Sequence, residues 1–141
     1  MKGAVQRGLL VYLGVALDDN EKDADWLAEK IANLRIFEDQ DEKMNLSLLD
    51  VVNHSSSEVN EMPVGVLAVS QFTLLGDARK GRRPSWNGAA PPEKARELYI
   101  YFMEKIREQG LVCESGEFQA HMMVKYTNDG PVTIILDSKM I

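Results

Sequence analysis

The chain has 141 residues, 45% apolar and 27% charged, with 22 acidic against 16 basic side chains and a net charge of -6. That composition belongs to one globular domain able to bury a core, and it excludes a disordered or fibrous chain. No run approaches the ~18 consecutive apolar residues of a membrane helix, and net acidity argues against DNA or other broad, non-specific nucleic-acid binding. One cysteine, Cys113, permits no internal disulfide; with no persuasive signal segment, a cytoplasmic location is expected.

In chain order, Gly8 to Ala16 (GLLVYLGVA) is a short apolar run bounded by glycine, the pattern of a strand buried on both faces. Asn20 to Leu34 predicts a helix, with Ala24, Leu27, Ala28, Ile31 and Leu34 on one stripe and Asn20 as its cap. Arg35 to Asp50 holds a short apolar pair, an acidic turn and LSLLDV, read as a strand after a turn. Asn53 to Pro63 is a polar, serine-rich loop. Val64 to Leu75 predicts a second buried strand, and Asn87 to Pro92 a linker into a second helix. That helix starts at Pro91 or Pro92, carries Ala95, Leu98, Tyr99, Phe102 and Ile106 as its stripe, and stops at Gly110. Leu111–Glu114, Met122–Thr127 and Val132–Asp137 complete the expected strands, the last two separated by the turn-forming Asn128-Asp-Gly-Pro131. The expectation is one α/β domain over residues 1–141.

Several catalytic arrangements are missing. His54 and His121 stand apart, without zinc-type spacing. There is no phosphate-binding glycine loop and no nucleophile elbow. If the chain is an enzyme, its chemistry rests on small polar side chains and backbone groups.

Two stretches offer such groups. Ser70, Gln71, Phe72 and Thr73 end an apolar strand, a common place for ligand contacts, although strand-end hydroxyls also serve neighbouring backbone. Strand alternation would put Gln71 and Thr73 on one face, Ser70 and Phe72 on the other. Asn128-Asp-Gly-Pro-Val-Thr133 is either a plain turn or a site for a cis peptide at Gly130-Pro131. Between them lies Arg79, Lys80, Arg82 and Arg83, the obvious positive spot on an acidic chain. It reads as a solvated loop or as a phosphate contact.

Taken in order, SQFTL, RKGRRPSW, a proline-led helix and NDGPVT resemble the D-aminoacyl-tRNA deacylases. VQR at 5–7, GLLVYLGV at 8–15, AEKIANLRIFED at 28–39, KMNLSLLDV at 43–51 and FQAHMMV at 118–124 agree. The resemblance implies an α/β fold of layered, barrel-like mixed and antiparallel sheets covered by two main helices. It implies a translation quality-control enzyme that hydrolyses the ester of a D-amino acid, or of glycine, to the acceptor end of tRNA. It also implies a homodimer, with no metal or organic cofactor.

By the same resemblance Ser70, Gln71, Phe72 and Thr73 line the ester pocket, where backbone amides around Gln71 and Phe72 hold the oxyanion. Gly130 and Pro131 enter the facing subunit's site as the chirality gate, supported by Arg7. Phe118, Ala120 and Met122, with Asn128 and Thr133, belong to the adenosine and substrate contacts, and Arg79, Lys80, Arg82 and Arg83 to tRNA phosphates. The alternatives within this resemblance are a catalytically weak tRNA-binding homologue and the related deacylase that edits L-alanyl-tRNA. Two departures stand out. Family members carry a hairpin of roughly fifteen to twenty residues between VQR and GLLV, whereas here Arg7 meets Gly8, which would leave a sheet edge exposed. The 53–63 loop is also longer than usual.

Overall fold

The computed structural model describes residues 2–54 and 63–140. Its centre is a three-stranded parallel sheet of β1 (Arg7–Leu13), β4 (Val64–Ser70) and β5 (Val112–Ser115), in the order β1-β4-β5. Register runs from Arg7 opposite Val64 to Leu13 opposite Ser70, and from Gly65 opposite Val112 to Ala68 opposite Ser115. Parallel neighbours need long crossovers, which the helices supply. β4 is central, and Val66, Ala68 and Val69 are buried. β1 is half-buried along most of its length rather than buried on both faces, because it lies at the sheet's edge. At the junction that departs from the family pattern, Gly8 has φ +144, and a Cβ there would fall 1.8 Å from the Gly65 carbonyl oxygen. The two strands approach this closely only through glycine.

α1 (Glu21–Asn33) begins as expected: the Asn20 side chain accepts from the Lys22 N–H, and the Asp23 carboxylate accepts from the Asn20 N–H at 2.9 Å. α3 (Pro92–Glu108) starts behind Pro91 and gives way to Gly110 at φ +92, the left-handed backbone glycine tolerates. The buried stripe of α1 is mostly alanine (Ala24, Ala28, Ala32), so α3 packs closely, and its fully buried Phe102 and Ile106 share one core with Val66 and Ala68. The Tyr99 hydroxyl donates to the Ala68 carbonyl at 2.7 Å, pinning α3 to the middle of β4.

Elsewhere the structure departs from the expected elements. LSLLDV is not a strand: β3 (Met44–Leu46) pairs with β2 (Phe37–Glu38) and stops, and α2 (Leu48–His54) follows. Ser47 and Asp50 exchange backbone and side-chain bonds, with the Ser47 N–H to Asp50 Oδ2 at 2.9 Å and the Asp50 N–H to Ser47 Oγ at 3.1 Å, so this start is capped as a helix. Most of the 53–63 loop lies outside the described residues. Met122–Thr127 and Val132–Asp137 form no ladder, and the sheets do not close into a barrel among the described residues. A strand needs a neighbouring edge for its N–H and C=O groups; this segment has none within the described chain, and Met123 and Ile135 are each 93% exposed.

Candidate active site

β4 ends at Ser70, where the Gln71 N–H donates to the Leu13 carbonyl at 2.8 Å as the last bond of the sheet. The chain then tightens into a 3-10 turn over Phe72–Leu75, closed by Leu74 N–H to Gln71 O and Gly76 N–H to Thr73 O. The strand expected to reach Leu75 therefore stops five residues early, and side-chain alternation does not govern its tip. The turn itself brings Gln71 and Thr73 together, with Gln71 Nε2 donating to Thr73 Oγ1 at 2.6 Å. Gly14 lies directly beneath: a Cβ there would come 2.6 Å from Leu75 Cδ2 and 3.0 Å from Leu74 Cβ.

Phe72 and Thr73 are exposed. A cavity of about 20 Å³ is lined by residues of α1, α3 and the end of β1, and a groove of about 390 Å³ runs along α1 at Trp26, Lys30 and Arg35. Neither includes Ser70–Thr73, which form a wall half-buried at Ser70 and Gln71 and open to solvent at Phe72 and Thr73.

After the turn, Asp77 and Ser85 exchange backbone hydrogen bonds, both 2.8 Å, closing the basic stretch into a loop. The Arg79 side chain donates twice to the Asp77 carboxylate, at 2.8 and 2.7 Å. These bonds, with the Arg79 backbone N–H, hold the Asp77 carboxyl below its ordinary range. Lys80, Arg82 and Arg83 are exposed and make no ion pair among the described residues. Arg79 is thus tied within the loop, while the other three present free charge.

The second motif lies on an arm. Phe118 packs against the core and Tyr99, with ring centroids 6.1 Å apart, and Leu136 returns to the core at the far end. Between them Gln119 takes φ +64, Ala120 N–H closes a turn to Glu117 O, and Met122 lies over Gly116. At the arm's tip Asn128 Nδ2 donates to Thr133 Oγ1 at 3.4 Å across Gly130-Pro131, whose peptide is cis. Lys139 fastens the arm's base to Asp23 of α1 and to Asp19 just before the helix. Burial and the neighbouring Tyr126 raise the Tyr12 phenol above its ordinary value. No hydrogen bond joins Gly130-Pro131 to Ser70–Thr73 among the described residues. Arg7 sits at the start of β1 with its guanidinium 5.8 Å from the centre of the Phe37 ring. No three His, Cys, Asp or Glu side chains cluster as metal ligands among the described residues.

The family model described as D-Tyr-tRNA(Tyr) deacylase matches residues 1–137. The chain belongs to that family. It is similar to the D-aminoacyl-tRNA deacylase of Koribacter versatilis, 60% identical over 139 residues that cover 99% of this chain and 86% of the relative. The Thermotoga petrophila D-aminoacyl-tRNA deacylase is 54% identical, with the same coverage of both chains. A solved structure titled c-Myc DNA Unwinding Element Binding Protein aligns with a TM-score of 0.77 and 37% identity, covering 92% of this chain and 81% of that one. A second, titled as a probable eukaryotic D-amino acid tRNA deacylase, is 15% identical with a TM-score of 0.66, and supports the fold alone.

Within this deacylase family fold, sequence reasoning did not single out four residues that shape the site. Gly14 and Gly76 admit the close approaches around the turn, Asp77 neutralises Arg79, and Trp86 packs its ring against Gly76. The spacing of Gly76-Asp77 before RKGRRPSW was the available signal, since Gly-Asp pairs mark turns.

Proposed function

We propose that this chain hydrolyses the ester between a D-amino acid and the terminal adenosine of tRNA, releasing both. The observation that carries the reading is a deacylase-family match over residues 1–137 together with the exposed turn that joins Gln71 to Thr73 at the end of β4. Water attacks the ester carbonyl, and the tetrahedral oxyanion needs N–H donors already in place. The Gln71 N–H is engaged by Leu13, so that role falls to Phe72 and Thr73, whose N–H groups precede the first bond of the 3-10 turn. One such donor is worth about 3–4 kcal/mol to an acyl-transfer transition state. The ribose hydroxyl beside the ester assists the water, which accords with a site built from small polar groups.

An open wall needs a second wall to exclude bulk water and select among substrates. In this reading the second wall is the Gly130-Pro131 tip of another copy, and the exposed apolar arm, including Met123 and Ile135, is where the two copies meet. A backbone gate leaves no room for an L side chain but admits glycine, so glycyl-tRNA is the second substrate expected. Phe118, Ala120 and Met122 receive the adenosine, and Lys80, Arg82 and Arg83 the acceptor-stem phosphates. The decisive experiment incubates pure protein with D-tyrosyl-tRNA and L-tyrosyl-tRNA. Release of D-tyrosine with L-tyrosyl-tRNA spared is expected; a folded protein inert toward both overturns the proposal.

A further inference from the structure

Trp86 follows directly on the basic loop that Asp77 and Ser85 close. The ring lies against Gly76, where a Cβ would come within 2.5 Å of Trp86 Cζ3 and 3.2 Å of Cε3. The Phe72 ring meets it edge-on, with centroids 5.3 Å apart and planes at 70°. The indole is therefore braced from two sides, yet 40% exposed, and Phe72 beside it is 54% exposed. Lys80, Arg82 and Arg83 precede it in the chain by three to six residues, and none is in an ion pair among the described residues. A braced, partly exposed indole at the foot of a loop that carries three unpaired cations offers the two elements that hold single-stranded nucleic acid, an aromatic ring for bases and positive charge for phosphates.

We propose that Trp86 is a stacking platform for an unpaired nucleotide that precedes the terminal adenosine of the RNA substrate. The inference rests on the deacylase reading and deepens it by naming a positioning residue outside the ester pocket. Phe72 belongs both to the wall that faces the ester and to the brace of Trp86, so the platform and the wall are one continuous surface. The terminal adenosine is held in its own subsite, the preceding base lies on Trp86, and the duplex beyond it reaches Lys80, Arg82 and Arg83. Charge complementarity favours RNA over an apolar protein surface here, because three unpaired cations sit on the loop that closes at Ser85, directly before Trp86.

Two measurements test this. The chain has two tryptophans, so a Trp26→Phe background leaves Trp86 as the single indole reporter. Uncharged tRNA with its unpaired 3′ nucleotides should quench Trp86 emission, while the same RNA trimmed back to its duplex end should bind without quenching. Equal quenching by both, or a change on diluting the protein alone with none on adding RNA, overturns the proposal. In the second measurement, kcat/KM is taken for D-tyrosyl-tRNA and for the D-tyrosyl ester of adenosine, which lacks preceding nucleotides. Trp86→Ala should lower the ratio of the two constants about tenfold through KM, and Trp86→Phe should retain most of it. Loss by the same factor on both substrates, in a variant whose melting temperature is unchanged, overturns it. If wild-type protein hydrolyses neither ester, the deacylase reading fails, and the quenching experiment still decides the platform.

Discussion

Replacing Arg82 and Arg83 together by alanine tests whether the basic loop guides a phosphate backbone. The structure sets the count of available charges at three, because Arg79 is held by Asp77 through two side-chain bonds while Lys80, Arg82 and Arg83 are unpaired among the described residues. With a log-log slope of about -0.9 per phosphate contact, three contacts give about -2.7, so raising salt from 50 to 200 mM weakens binding about 40-fold. The double variant keeps one contact, a slope of about -0.9 and a loss of about 3.5-fold over the same range. At fixed moderate salt the two lost pairs, together about 1.4 kcal/mol, should raise KM about tenfold. Turnover should stay unchanged, since in this reading these exposed side chains hold phosphates and make no contact with the reacting ester. The assay is the salt dependence of KM for D-tyrosyl-tRNA, with thermal unfolding as the folding control. An unchanged slope, or a fall in kcat at constant KM, refutes the reasoning.

Other substitutions probe the wall, the core and the thiol. Thr73→Val removes the acceptor for Gln71 Nε2 at 2.6 Å; a lost hydrogen bond of about 1–2 kcal/mol should lower kcat about 5–30-fold, and single-turnover hydrolysis measures it. Tyr99→Phe leaves the Ala68 carbonyl without its 2.7 Å donor inside the core. It should cost about 1–2 kcal/mol in denaturant unfolding with little change in the slope against denaturant. Burial pushes the Cys113 thiol up to about 11, with the neighbouring Arg107 only partly offsetting it. At pH 8 about one molecule in a thousand then carries the thiolate, so alkylation of the native protein should be far slower than of the unfolded chain. The same raised value means stability present at neutral pH declines as pH rises through the interval from about 9 to about 11, because only the unfolded thiol ionises there. Cys113→Ala should flatten that part of the stability profile in urea unfolding, and an unaltered slope would count against a buried neutral thiol.

Much of the fold was legible because it follows from local rules. The apolar stripe of α1 repeats at three or four residues, and its Asn20 cap, the proline start of α3 and the Gly110 stop are set by single residues at the helix ends. The apolar run of β4 marked the central strand. Ser47-Leu-Leu-Asp50 carried the same kind of capping signal as α1, but its apolar content favoured a strand reading, and the reciprocal Ser47–Asp50 bonds decide for helix. The C-terminal segments have strand-like sequences too; what they lack in the described chain is an edge to pair with. Pattern measures a side chain's readiness for a sheet, not the presence of a partner backbone.

The candidate site divides along the same line. By itself the sequence determined the residue types at the end of β4, the order of SQFT, the basic stretch and NDGPVT, and through them the family, because these are properties of consecutive residues. Only the tertiary structure decided that Gln71 bonds Thr73 through a 3-10 turn, that Asp77 removes Arg79 from the free charges, and that Trp86 stands braced between Gly76 and Phe72. Those outcomes depend on where the last sheet bond, Gln71 to Leu13, stops the strand and on how the 77–85 loop closes back. Both are contacts across chain distances that no local spacing encodes.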